Sequence, residues 1–170
     1  SLRSRGLGDV YKRQNYLYET LWNPMGAEHE SYWQVDSKEN SSEKAYCCIA
    51  SNARDFARMA KLYKDYGKWN GKVLLDSSYV ARSIHPRFKE SPQYGYSWWL
   101  KEYKGHDVFM MRGHLGQYII TFPKENLILV RLGHLKGPKS KNGDPFTPDI
   151  YTYMDAAIEI NQNIVKKSKL

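Results

Sequence analysis

Residues 94–132 decide the fold of this chain and read YGYSWWLKEYKGHDVFMMRGHLGQYIITFPKENLILVRL. Four short runs in this stretch are rich in aromatic and β-branched residues and are bounded by Gly, Pro or Asn, a pattern typical of strands. The runs are residues 94–101, 108–112, 117–122 and 127–132. Because the links between them are short, they favour an antiparallel meander over parallel crossovers. We therefore predict an antiparallel sheet of about four strands.

Helical patterns lie on both sides of this stretch. The clearest follows Asn52, a natural N-cap, and places Phe56, Met59, Ala60 and Tyr63 on one apolar face. The predicted helices cover residues 15–22, 53–66, about 77–83 and 148–166. Helices, then a meander, then a C-terminal helix indicate an α+β fold class.

Length and charge limit the partners that we expect. The chain has 170 residues, about one domain, and a formal net charge of +8. The positive excess lies in residues 1–14 and in the last six residues, each with a net charge of +3. A DNA-binding surface would be a basic stripe on the folded body, so we expect no nucleic-acid partner. No run of about 18 apolar residues occurs, so we expect no membrane span.

The two cysteines, Cys47 and Cys48, are adjacent. Because disulfide geometry is demanding, neighbouring cysteines rarely bridge each other, and we expect no bridge here. Neither C-x-x-C nor a paired Cys/His spacing occurs. We therefore predict no metal site and no cofactor.

Residues 1–14 (SLRSRGLGDVYKRQ) differ in character from the rest of the chain and have no periodic apolar face. Residues 7–14 resemble a peptide that recurs at the ends of translated metagenomic contigs, where adapter DNA has been read as protein. We expect residues 1–14 to be a non-native leader and residues 15–170 to form the domain. A native, flexible N-terminal arm is the alternative.

Two serine motifs are weak candidates for a nucleophile. Ser97 lies in a G-x-S sequence that lacks the second glycine of a nucleophile elbow and falls inside a predicted strand. Ser41 and Lys44 match S-x-x-K, but they lie in a polar loop, whereas a nucleophile needs a rigid element that holds its base close by. We expect neither serine to be catalytic.

Residues 113–117 (GHLGQ) connect two predicted strands and are the best candidate site. Glycines at such a link allow a ligand to approach the backbone closely. A backbone N–H beside them can bind a developing oxyanion, and His114 can donate a hydrogen bond to a substrate or move a proton. A tight turn with a satisfied histidine is the alternative.

Six segments carry recognisable motifs: WNPMG at 22–26, YWQVD at 32–36, SNARDFAR at 51–58, GKWNGK at 67–72, YGYSWW at 94–99 and GHLGQ at 113–117. In this order they resemble segments of the serine β-lactamase-like hydrolases, and residues 127–133 are similar to the closing strand of that family. The nearest subgroup comprises relatives of class C β-lactamases, DD-peptidases, esterases and 6-aminohexanoate-dimer hydrolases. The resemblance implies the C-terminal part of the β-lactamase/DD-peptidase fold.

The chain departs from the family pattern in the catalytic boxes. In that family the acylated serine with its lysine, and a Tyr-x-Asn or Tyr-x-Ser box, precede the segment that matches residues 22–26. The chain has no Y-x-N, Y-x-S or K-T-G sequence. We therefore expect the C-terminal portion of a serine hydrolase, without the nucleophile, its base and the acid/base tyrosine.

The resemblance also implies residue roles. The implied residues are His114, Gly116 and Gln117 in the catalytic wall, and Tyr32, Trp33 and Leu115 on the substrate side. The Gln117 N–H is the expected second oxyanion donor. The parent protein is expected to act on a small-molecule amide or ester, and the isolated chain to be inactive. A location in the bacterial envelope is the expectation for the parent, and a non-catalytic binding or structural module is the alternative function.

Overall fold

The computed structural model describes residues 10–39, 42–44 and 47–168. Its helices are α1 (Val10–Leu17), a π-helix (Tyr18–Trp22), α2 (Ala53–Lys64), α3 (Ser77–Ser83) and α4 (Pro148–Lys167). Its strands are β1 (Tyr32–Trp33), β2 (Ile49–Ala50), β3 (Lys68–Trp69), β4 (Lys72–Val73), β5 (Trp99–Tyr103), β6 (His106–Arg112), β7 (Tyr118–Phe122) and β8 (Leu127–Arg131).

The predicted four-stranded meander is confirmed. The strands lie in the order β5-β6-β7-β8, and each pairs antiparallel with the next. All five residues of β7 are buried. Tyr118, the first residue of β7, pairs with Arg112 on one side and with Arg131 on the other. The end of β6, the start of β7 and the end of β8 therefore lie side by side.

The first strand of the meander, β5, begins later than predicted, at Trp99 rather than Tyr94. Ser97 has φ +64°, so the backbone turns before the sheet starts. Gly95 donates its N–H to the Trp98 carbonyl at 2.8 Å, and Tyr96 donates to the Ser83 carbonyl at 2.9 Å. These hydrogen bonds dock the aromatic segment on the end of α3 instead of extending the strand.

The sheet is covered on both faces. Alternate residues of β6 and β7 point to opposite sides because the side-chain period of a strand is two. One face packs on α4 in a cluster formed by Val108, Met110, Tyr118, Ile120, Phe122, Phe146, Ile150, Met154 and Ala157. On the other face Phe109 packs on Trp98 with ring centroids 5.0 Å apart, and Trp98 packs on Tyr63 of α2 at 4.6 Å.

Helix α2 begins as predicted, because the Asn52 side chain accepts hydrogen bonds from the N–H groups of Arg54 and Asp55. It ends two residues earlier than the predicted Tyr66. Gly67, at φ +82°, closes the helix by donating its N–H to the Leu62 carbonyl at 2.8 Å. A glycine is suited to this left-handed position because it has no Cβ.

The N-terminal helix extends further toward the N-terminus than predicted. It begins at Val10, within the expected leader, and the helical segment ends at Trp22 as expected. No Gly or Pro occurs between Gly8 and Pro24, so nothing in the sequence breaks a helix that has formed. Residues 1–9 of the expected leader lie outside the described residues.

The prediction for the cysteines is wrong, because Cys47 and Cys48 form a disulfide with each other. Cys48 has φ +82°, a backbone conformation that brings the two adjacent side chains together just before β2. None of the helices in the described part of the chain combines the length and apolar character that a membrane crossing requires.

The buried carboxylate of Asp55 links α2 to Glu28 and His29, which lie between the π-helix and β1. The Asp55 side chain is fully buried and accepts hydrogen bonds from the N–H groups of Glu28 and His29 at 3.0 and 3.1 Å. Asn52 and Arg58 also donate to it, at 2.6 and 2.9 Å. Burial raises the pKa of Asp55, but these donors and the Arg58 charge outweigh burial and hold the pKa below its ordinary value.

Replacing Asp55 by Asn is expected to lower the free energy of unfolding by about 3–5 kcal/mol at pH 7, because it removes the buried negative charge that pairs with Arg58 and puts an NH₂ group where one of the two backbone N–H groups has its acceptor. The wild-type advantage is present above about pH 4, the ordinary carboxyl range, and is lost as the pH falls through the lowered pKa of Asp55. Urea unfolding of both proteins from pH 7 to pH 3 measures this.

Asp107→Asn is the matched control. Asp107 is exposed and pairs with Lys124 at 2.7 Å. Because exposed ion pairs contribute little, this variant is expected to lose less than about 1 kcal/mol. Equal losses at positions 55 and 107 would contradict the role given to Asp55.

Candidate active site

The 113–117 turn joins the end of β6 to the start of β7. Tyr118, the residue after the turn, contacts Thr147 and Asp149 at the start of α4. Gly113 donates its N–H to the Gln117 carbonyl at 2.6 Å, and Gly116 donates to the Gly113 carbonyl at 3.2 Å. The first of these bonds continues the pairing of β6 with β7 by one step. The turn is therefore anchored at its base and projects its middle residues away from the sheet.

The Gln117 side chain fills the inside of the turn. Its Oε1 accepts a hydrogen bond from the Leu115 N–H at 3.1 Å. A Cβ at Gly113 would lie 2.4 Å from that oxygen and 2.9 Å from Gln117 Cβ, so any other residue at position 113 would displace the Gln117 side chain. The side chain of Gln117 and the absence of one at Gly113 together hold the turn in one shape.

Gly116 lies in the left-handed region, with φ +84°. A Cβ there would lie 2.5 Å from Arg131 Nη1 and 2.6 Å from the Leu135 carbonyl oxygen. Arg131 at the end of β8 donates to the carbonyl of Gly116 through Nη1 and to that of Leu135 through Nη2, the latter at 2.9 Å. The turn therefore packs against β8 and the segment that follows it.

Two backbone donors of the turn are unused. The N–H groups of His114 and Gln117 donate to no acceptor among the described residues. Donors aimed at the place where negative charge develops are what an acyl-transfer site requires. The turn can therefore offer the Gln117 N–H to an oxyanion without first breaking a hydrogen bond.

His114 and Leu115 form the exposed rim of the turn. The imidazole of His114 has no hydrogen-bond partner among residues 10–39, 42–44 and 47–168, and Leu115 is 46% exposed. The alternative of a satisfied histidine is therefore not what the described residues show. The structure brings together four of the six predicted site residues: His114, Leu115, Gly116 and Gln117.

Tyr32 and Trp33 lie elsewhere, on β1. Tyr32 donates to Glu30 at 3.0 Å, and the bond and charge of Glu30 raise the pKa of Tyr32. The indole N–H of Trp33 lies 3.1 Å from the carbonyls of Lys44 and Cys47. Trp33 also lines a cavity of about 290 Å³ with Trp22. No hydrogen bond or ring contact in the described part of the chain joins β1 to the 113–117 turn.

Sequence reasoning missed Arg131 and the segment after β8. Gly133 leaves room for the guanidinium, since a Cβ there would lie 2.8 Å from Arg131 Nη1. Gly137 donates its N–H to Asp149 at 3.1 Å, which ties the same segment to the start of α4. The available signal was a lone arginine at the end of an apolar strand, followed two residues later by glycine.

The two serine motifs gain no support. Ser97 lies in the turn before β5 and is exposed. Ser41 lies outside the described residues, so the S-x-x-K sequence cannot be placed. Among the residues that are described, no group of three or more His, Cys, Asp or Glu side chains could hold a metal ion.

The solved structures that share the fold of this chain include the following two. One is named "putative 6-aminohexanoate-dimer hydrolase", from Bacillus anthracis; it is 24% identical with a TM-score of 0.70, and the match covers 89% of this chain and 38% of that one. The other is named "putative beta-lactamase", from Bacteroides dorei; it is 16% identical with a TM-score of 0.60, and the match covers 85% and 51%.

The chain therefore has the fold of part of a β-lactamase-like hydrolase. This confirms the fold that the sequence motifs predicted. The chain spans less than two thirds of the length of either protein. No protein-family model matches the sequence, and no curated protein matches it.

Gly116→Ala is expected to destabilise the chain, because the new Cβ would meet Arg131 and the Leu135 carbonyl. Gly105→Ala is the matched control, since Gly105 has φ +80° and nothing within 4 Å of a built Cβ. The control measures backbone strain alone, about 1–2 kcal/mol. Gly116→Ala should cost about 1–3 kcal/mol more in urea unfolding, the usual cost of overpacking. Equal costs would show that the turn does not pack as described.

Proposed function

We propose that the chain is the C-terminal portion of a serine hydrolase that cleaves an amide or ester through an acyl-enzyme. The observation that carries this proposal is the unused Gln117 N–H. It lies in a turn that is held by the backbone hydrogen bond between Gly113 and Gln117, by the Gln117 side chain and by Arg131. The fold shared with two hydrolase-named structures supports it. The nucleophilic serine and its base would come from sequence that precedes the matched region.

In the proposed reaction the serine oxygen attacks the substrate carbonyl carbon while its proton passes to the base, and the π electrons move to the carbonyl oxygen. The serine's own N–H and the Gln117 N–H donate to that oxyanion. When the intermediate collapses, the bond to the amine or alcohol breaks, the leaving group takes the proton, and the acyl group remains on the serine. Water then adds to the acyl carbon and gives a proton to the base; the acyl–serine bond breaks, the serine oxygen regains that proton, and the acid is released.

The remaining turn residues have supporting roles in the proposal. His114, with a free imidazole, donates a hydrogen bond to the substrate or carries a proton to the leaving group. Leu115 gives the acyl side an apolar contact. Trp33, which lines the cavity of about 290 Å³, and the exposed Tyr32 beside it on β1 would contact the substrate further from the turn.

A non-catalytic binding module is the second candidate. Leu115, Leu132 and Leu135 are 46%, 46% and 79% exposed and lie near the turn, so they offer an apolar contact surface. Two results together would favour this candidate. The 170-residue chain would stay intact and form oligomers, and the longer protein would have no hydrolase activity.

The protein encoded by the complete reading frame around this chain is expected to gain the mass of one phosphonyl group from a fluorophosphonate probe. The 170-residue chain alone is expected to gain none, because the proposed nucleophile lies outside it. Intact-mass spectrometry measures both. Labelling of a serine within the 170-residue chain would contradict the assignment, and an unlabelled longer protein would contradict the hydrolase function.

His114→Ala in the longer protein is expected to slow ester hydrolysis by about 10²-fold, the low end of the range for lost proton transfer. His134→Ala is the matched control, because His134 is also exposed and lies in the segment beside the turn. The control should keep nearly the wild-type rate. If the two variants are equally active, His114 has no part in the reaction.

A further inference from the structure

We propose that Arg131 is a positioning residue that aims the Gln117 N–H at the oxyanion, an inference that rests on the proposed hydrolase function. The Gly116 carbonyl and the Gln117 N–H belong to one peptide group. Arg131 Nη1 donates to that carbonyl. The group is trans and planar, so its C=O and N–H point in opposite directions. Holding the carbonyl on Arg131 therefore directs the N–H away from β8.

Arg131 is itself held in place. Its Nη2 donates to the Leu135 carbonyl at 2.9 Å, so the planar guanidinium spans two backbone oxygens. The same group lies over the rings of Tyr118 and Tyr153, at 5.7 and 5.4 Å from the ring centroids. A Cβ at Gly133 would press on it. These contacts fix the orientation of the guanidinium, which in turn fixes the orientation of the peptide group between Gly116 and Gln117.

The charge of Arg131 adds to the geometry. Arg131 takes part in no ion pair with the described residues, so no carboxylate among them competes with the two carbonyls for its N–H groups. A charged donor on a carbonyl polarises the peptide group and makes its N–H a stronger donor, because hydrogen bonds in a chain reinforce one another. Lysine cannot reproduce this arrangement, since it is a point charge without the planar fork.

The first experiment uses the 170-residue chain and needs no activity. In NMR spectra the Gly116 carbonyl carbon reports directly on the hydrogen bond that it accepts. Arg131→Met is expected to move this resonance upfield. Arg112→Met is the matched control, because Arg112 also donates to a backbone carbonyl, that of Pro145 at 2.8 Å, and lies over two rings. An unchanged Gly116 resonance in Arg131→Met would overturn the proposal.

The second experiment measures fluorophosphonate labelling of the longer protein over a range of probe concentrations. Removing one oxyanion donor costs about 10²–10³-fold, and a donor that is present but misaimed should cost about tenfold or more in the maximal labelling rate. The half-saturating concentration should stay the same, because Arg131 does not touch the probe. Arg112→Met should change neither quantity.

Arg131→Lys guards against a variant that fails to fold. It keeps the charge but reaches one carbonyl at most, so its maximal rate should fall between those of wild type and Arg131→Met. Wild-type rates in both Arg131 variants would overturn the positioning role and leave the hydrolase function intact. A wild-type protein that is never labelled would overturn the proposed function and, with it, the role of Arg131 in catalysis; the carbonyl resonance would still decide whether Arg131 holds the peptide.

Discussion

The hydrogen bond from Arg131 to the Gly116 carbonyl is the constraint on which the candidate site depends. It connects the last residue of β8 to the turn between β6 and β7, across the end of a fully buried central strand. The sheet can deliver Arg131 to this position because α2 covers one of its faces and α4 the other. The alternating apolar residues of the strands allow both faces of the sheet to be covered. The covered sheet in turn holds Arg131 where it fixes the peptide group between Gly116 and Gln117.

Local patterns predicted the main elements well. The cap at Asn52, and the starts expected near residues 77 and 148, agree with the first residues of α2, α3 and α4. The apolar runs gave three strands within about two residues of their true ends. They failed at residues 94–98, where contacts with Ser83 on α3 decide the conformation. Such contacts join residues that are distant in sequence, and a periodicity cannot report them.

The candidate site divides in the same way. The two glycines of GHLGQ indicated a tight link between two strands, and the described residues form a turn there in which the N–H groups of His114 and Gln117 have no acceptor. Arg131 could not be found by that reasoning, because its role depends on the register that sets it opposite Tyr118. The disulfide between Cys47 and Cys48 was also missed, since a single positive φ at Cys48 allows it.

The central claim is that the Gln117 N–H serves as an oxyanion donor. A crystal structure of the longer protein after reaction with a fluorophosphonate tests it most directly, because the phosphonyl oxygen takes the place of the oxyanion. The account predicts that this oxygen lies about 2.7–3.1 Å from the Gln117 nitrogen, with Arg131 still on the Gly116 carbonyl. A phosphonyl oxygen directed away from the 113–117 turn, bound by other donors, would contradict it.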